Sequence, residues 1–114
     1  MANPRHERLT NQLQQEIALI IQRELKDHRL GFVTITRVAL SRDGSHAKVG
    51  FSCLGSAEER ARSQDALDDS VRFVRGLLMR RLRLKIIPEI VFRFDESIAQ
   101  AIELDAKLDQ LNGT

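Results

Sequence analysis

Leu9, Leu13, Ile17, Ile20, Ile21 and Leu25 recur at spacings of three and four, which is one face of an amphipathic helix. Asn3 and Pro4 supply its start, Asn as N-cap and Pro at the first helical position. Its end falls near residues 27–31. The period then shortens. FVTITRVAL (residues 32–40) is rich in β-branched residues. Val33 and Ile35 share one parity and Val38 and Leu40 the other, which predicts a bulge between them. Asp43-Gly44 is a favoured hairpin turn. In HAKVGFSCL, Ala47, Val49, Phe51 and Cys53 point one way and Lys48, Gly50 and Ser52 the other. Residues 32–54 therefore read as an antiparallel hairpin with one wet face.

Ser56 and Glu59 form a capping box, each satisfying a backbone donor of the other. Leu67, Val71, Val74, Leu78 and Leu82 make the apolar stripe of the long helical region that follows. Asp68, Asp69, Ser70 and Val71 are moderate or poor helix formers, so a break or kink is expected around residues 68–72. Beyond it, Leu82, Leu84 and Ile86 are expected to close the core. Pro88 forces its predecessor to be extended and suits the first residue of a strand, PEIVFRF. Ile98, Ala101, Leu104, Leu108 and Leu111 mark a last helix, closed by Asn112-Gly113. The predicted order is α-β-β-α-(kink)-α-β-α. Three strands are too few for a barrel, so the helices must cover one face of the sheet in a two-layer α+β domain.

Composition adds bounds. A chain of 114 residues, 42% hydrophobic and 30% charged, fits one soluble globular domain. No apolar run nears the ~20 residues of a membrane helix, and the N-terminus lacks a signal-peptide pattern. One cysteine, Cys53, excludes an internal disulfide, which agrees with a cytoplasmic protein.

The charge is segregated. Residues 72–93 hold seven basic side chains and one acid, Glu89, so this segment carries +6 within a net charge of +2, and the rest carries −4. Segregation of this kind is the footprint of a polyanion-binding surface, although a solvated face can look alike. On a helix through residues 67–83, Arg72, Gly76, Arg80 and Arg83 lie opposite the apolar stripe, with Arg75 at the margin and Arg81 on the flank. Gly76 in their midst either admits a nucleic-acid backbone or lets another element pack closely. Arginine outnumbers lysine six to one here, and arginine grips phosphate bidentately. Phe51 and Phe73 sit on apolar patterns, and Phe32, Phe92 and Phe94 read as core. With few aromatics left to stack on bases, the expected ligand is a structured nucleic acid read by shape and backbone charge.

Candidate chemistry for catalysis is thin. His6, His28 and His46 with Cys53 make no zinc motif, and no phosphate-binding or nucleophile motif occurs. Asp68-Asp69 and Asp95-Glu96 read as surface or helix-start acids. The expectation is a binding protein, not an enzyme, with no cofactor and no metal.

Several stretches resemble one family closely. They are RxxRLTNQLQQEIALIIQRELKDHRLGFVTIT (residues 5–36), LSRDGSHAKVGFS (40–52), FVRGLLMRRLRLKIIPEIVFRFDES (73–97) and the closing helix. ELKDHRLGFVTIT and RLRLKIIPEIVFRFDES are the most specific. Together the chain resembles the ribosome-binding factor A family over about residues 5–111. The resemblance implies a single type-II KH-like domain across residues 1–114, without a GxxG loop; the chain contains none. It implies a kinked helix pair marked Ala-x-Gly, where this chain reads Ser70-Val71-Arg72, so a Ser-assisted bend replaces a glycine break and Arg72 adds a phosphate contact. It implies a monomeric assembly factor of the small (30S) ribosomal subunit that binds precursor 16S rRNA, assists its late maturation, leaves with help from an assembly GTPase and supports growth in the cold. The residues expected to meet RNA are Arg5, Arg8, Arg72, Arg75, Arg80, Arg81, Arg83 and Lys85. The rival expectation is a protein-interaction module that docks an acidic partner on the same basic stripe.

Overall fold

The structure, a computed structural model, describes residues 4–96. Helix α1 (Pro4–Leu19) begins at the expected proline and runs into a five-residue π-helical turn, Ile20–Glu24. Leu25 N–H donates to the Ile20 carbonyl at 3.0 Å, closing that wider turn. Leu13, Ile17, Ile20 and Ile21 are all buried, as the spacing of apolar positions requires. Asn3 and the closing helix expected from Ile98 onward lie outside the described residues.

Strands β1 (Val33–Leu40) and β2 (His46–Cys53) pair antiparallel. The register shifts between Ile35 and Arg37. This bulge lets Ile35 and Val38 both face the core despite their odd spacing. Gly50 lies opposite the bulge, and a Cβ there would stand 2.9 Å from Thr36 Oγ1 and displace that hydroxyl, which donates to Asp95 at 2.9 Å. The hairpin turn places Gly44 at a φ of 76°. Asp43 accepts from the hydroxyls of Ser41 and Ser45 and from Ser45 N–H, and these bonds hold its carboxyl down at about 2.

Helix α2 (Ala57–Arg81) opens on the Ser56–Glu59 capping box. It crosses to β3 (Glu89–Phe94), which lies parallel to β2, giving the order β1-β2-β3. Parallel neighbours need such a crossover. α1 covers β1 and α2 covers β3, so the two-layer α+β architecture is as the sequence implies. Phe51 and Phe92 are the largest side chains at its centre.

Four expectations need correction. The helix does not divide at Ser70-Val71-Arg72; α2 is one uninterrupted element of 25 residues. Ser63, Ala66, Leu67, Ser70, Val74 and Leu78 are all buried along it, and that packing overrides weak local propensity. Ser70 Oγ still donates back to the Leu67 carbonyl at 2.7 Å, the local bond expected of it. α2 also stops at Arg81, with Leu82 extended as its C-cap, so Arg83 lies on the loop of residues 82–88 and not on the helix. Phe32 is not core: it is 80% exposed. Ile86 does not close the core either, at 53% exposed, whereas Leu82 and Leu84 pack against it.

Candidate nucleic-acid interface

The basic residues fall into three groups. Arg72 and Arg80 are exposed on α2, and Arg83 and Lys85 are exposed on the loop of residues 82–88. None of these four makes an ion pair with another described residue. An exposed cation without a partner keeps its charge available for a phosphate.

Arg75 and Arg81 are committed elsewhere. Arg75 is half-buried; its Nε donates to the Pro88 carbonyl at 3.0 Å and its Nη2 to the Ile87 carbonyl at 3.1 Å. It therefore straps the end of the 82–88 loop to α2. Arg81 meets Glu24 at 2.9 Å and Glu16 at 3.7 Å, so its charge ties α2 to α1 and the turn that follows it. Sequence pattern alone puts Arg75 at the stripe's margin and Arg81 on its flank, and does not show that either is engaged, because the partners lie elsewhere along the chain.

Arg5 and Arg8 are exposed on the first turns of α1. That end of the helix is fixed to the hairpin by His6, whose Nε2 lies 3.1 Å from both the Leu40 and Ser41 carbonyls. Carbonyls only accept, so His6 carries its proton on Nε2. The structure thus brings Arg72, Arg80, Arg83 and Lys85 onto α2 and the loop that leaves it, and keeps Arg5 and Arg8 on a separate helix.

Gly76 settles its own ambiguity. A Cβ at this position would meet nothing within 4 Å, so among the described residues no element packs on it. It opens a groove of about 680 Å³ lined by Arg72, Arg75, Met79, Ile87 and the acids Asp68 and Asp69. Both acids are engaged. Gln64 Nε2 donates to Asp68 at 2.9 Å, and Arg29 pairs with Asp69 at 3.0 Å. The groove floor is therefore bare backbone beside an unpaired arginine, a surface that a phosphodiester chain can approach.

Two further cations, Lys48 and Arg93, line a groove around Gly50 on the sheet and make no ion pair among the described residues. Their strand parity is the signal that separates them from the α2 stripe. Among the described residues no three His, Cys, Asp or Glu side chains converge as metal ligands. No described helix is long and apolar enough to cross a membrane.

Comparison with known proteins fits this geometry. The family described as Ribosome-binding factor A matches residues 5–108. The chain belongs to the ribosome-binding factor A family. A relative of that name from Natranaerobius thermophilus is 45% identical over 112 residues, which cover 98% of this chain and 86% of the relative. One from Pseudomonas aeruginosa PAO1 is 42% identical over 108 residues, 93% of this chain and 84% of the relative. The crystal structure of ribosome-binding factor A from Thermus thermophilus superposes with a TM-score of 0.69 at 32% identity, over 77% of this chain and 92% of that one. A homology model of the Thermus thermophilus ribosome-binding factor A, fitted into the cryo-EM map of its 30S complex, superposes with a TM-score of 0.65 at 31% identity, over 78% and 93% of the two chains. The family fold is therefore present with an unbroken α2 where Ser70-Val71-Arg72 stands.

Proposed function

We propose that this chain binds precursor 16S rRNA within the immature small ribosomal subunit and assists its late maturation as a binding factor, not as an enzyme. The observation that carries this reading is the open backbone at Gly76 flanked by unpaired Arg72, with Arg80, Arg83 and Lys85 on the same helix and its outgoing loop. Arg5 and Arg8 add RNA contacts from α1. Arg75 and Arg81 act on RNA through the positions they enforce. The Thermus relative fitted into a 30S map supports the small subunit as the partner. In this reading the protein works in the cytoplasm as a monomer and is released with help from an assembly GTPase.

The test is binding of the protein to purified immature small subunits. Arg72→Glu combined with Arg80→Glu is expected to weaken binding with the melting temperature unchanged, because exposed substitutions usually alter stability by within about 0.5 kcal/mol. Cross-links should map to precursor 16S rRNA. Cross-links confined to a ribosomal protein would assign the surface to protein docking instead.

A further inference from the structure

We propose that Phe32 is a stacking platform for an unpaired RNA base, with Arg23 and Lys26 receiving the neighbouring phosphates. This rests on the RNA-binding reading and adds a second, single-strand site in a separate groove. Phe32 is 80% exposed and lines a groove of about 760 Å³ between the end of α1 and the start of β1. The groove adjoins the one beside Gly76 at Arg29, which pairs with Asp27 of this groove at 2.7 Å and with Asp69 of the other at 3.0 Å.

Three observations favour a nucleotide there. First, the ring is held out on a fixed backbone. Arg29 grips both oxygens of Asp27 at 3.1 and 2.7 Å and also reaches Asp69 at 3.0 Å. Gly31 N–H donates to the buried Ser63 hydroxyl at 3.0 Å, and Leu54 N–H donates to the Phe32 carbonyl at 3.2 Å. A platform ordered in advance loses little entropy when a ligand arrives. Second, the groove is complementary to a polyanion. Arg23 and Lys26 line it and make no ion pair with any described residue, while its one acid, Asp27, is neutralised by Arg29. An aromatic face beside unpaired cations is the chemistry of single-strand binding, since every base has a π-face. Third, the rival occupant, a peptide strand added to the β1 edge, meets an obstacle. Gln14 Nε2 donates to the Thr36 carbonyl at 3.3 Å, so one β1 carbonyl is already engaged.

The experiment compares binding of a short single-stranded oligoadenylate and of a fully paired RNA hairpin. Phe32→Ala is expected to weaken oligoadenylate binding about 5- to 100-fold while leaving its salt slope and the hairpin affinity unchanged. Phe32→Trp should retain or tighten it. Arg23→Gln with Lys26→Gln should make the single-strand salt slope shallower by about 1.4. The proposal is overturned if Phe32→Ala binds oligoadenylate like the parent, or if its melting temperature falls together with affinity, which would show the ring packed within the chain. It is equally overturned if Phe32→Ala loses a small-subunit protein and keeps RNA. Failure of stacking alone leaves the hairpin sensitive to Arg72→Glu with Arg80→Glu. A parent that binds neither RNA overturns the RNA-binding reading as well.

Discussion

Arg72 and Arg75 stand three residues apart on α2 and differ in every partner. Arg72 faces the groove unpaired, whereas Arg75 holds two carbonyls just before β3. Arg75→Ala removes two hydrogen bonds from a charged donor, so it is expected to lower stability by about 1.5–3 kcal/mol in urea unfolding. Arg72→Ala should leave the unfolding curve where it is and weaken only RNA binding. Two carboxylates contribute to the acid dependence in the same residue-by-residue way. Arg29 side-chain and then backbone hydrogen bonds hold Asp27 at about 2 instead of 3.8, and Ser45 and Ser41 do the same for Asp43. A depressed carboxyl stabilises the fold above its unfolded value and loses that contribution as pH falls through its folded value. Thermal unfolding should therefore show stability declining between about pH 4 and pH 2. Asp27→Asn with Asp43→Asn should flatten that decline; an unchanged acid limb would mean that other groups set it.

At the level of elements, period and punctuation make most of the fold legible. The capping box at Ser56, the bulge after Ile35 and the turn at Gly44 are local signals, and each is where the sequence puts it. Continuity of α2 is not legible, because weak formers at residues 68–71 are overruled by contacts with β-strands far away in sequence. Ser70 shows the balance. It is buried, and its hydroxyl bonds to a carbonyl within its own helix. Ser70→Ala strands no donor and gains helix propensity, so it should shift stability by less than about 1 kcal/mol. Ser70→Leu must fit a larger side chain at a buried position and should cost about 1–3 kcal/mol in the same assay. The candidate site is legible only in part. Its charge is plain, but an arginine claimed by Glu16 and Glu24 looks identical in sequence to one left open to solvent. Phe32 misleads because aromatic residues in strands are usually core, while its parity opposite Val33 and Ile35 points outward.

For the whole molecule, the uneven charge matters more than the net +2. Arg8, Arg72, Arg80, Arg83 and Lys85 are exposed and make no ion pair among the described residues. If these five each neutralise one phosphate, counterion release sets a log-affinity against log-salt slope of about −3.5 on single strands and about −4.5 on duplex RNA. Arg80→Gln should make the slope shallower by about 0.7–0.9. Arg81→Gln should leave it alone, because that charge is already spent on Glu24 and Glu16, and should change stability by under about 1 kcal/mol as an exposed pair. A generic basic face predicts otherwise: loss of either arginine would then reduce the slope equally, since only total charge would count. The comparison of these two neighbours therefore separates a surface organised by intramolecular ion pairs from one that merely attracts polyanions. Equal slopes for Arg80→Gln and Arg81→Gln would remove the ground for assigning RNA contact to particular residues of α2.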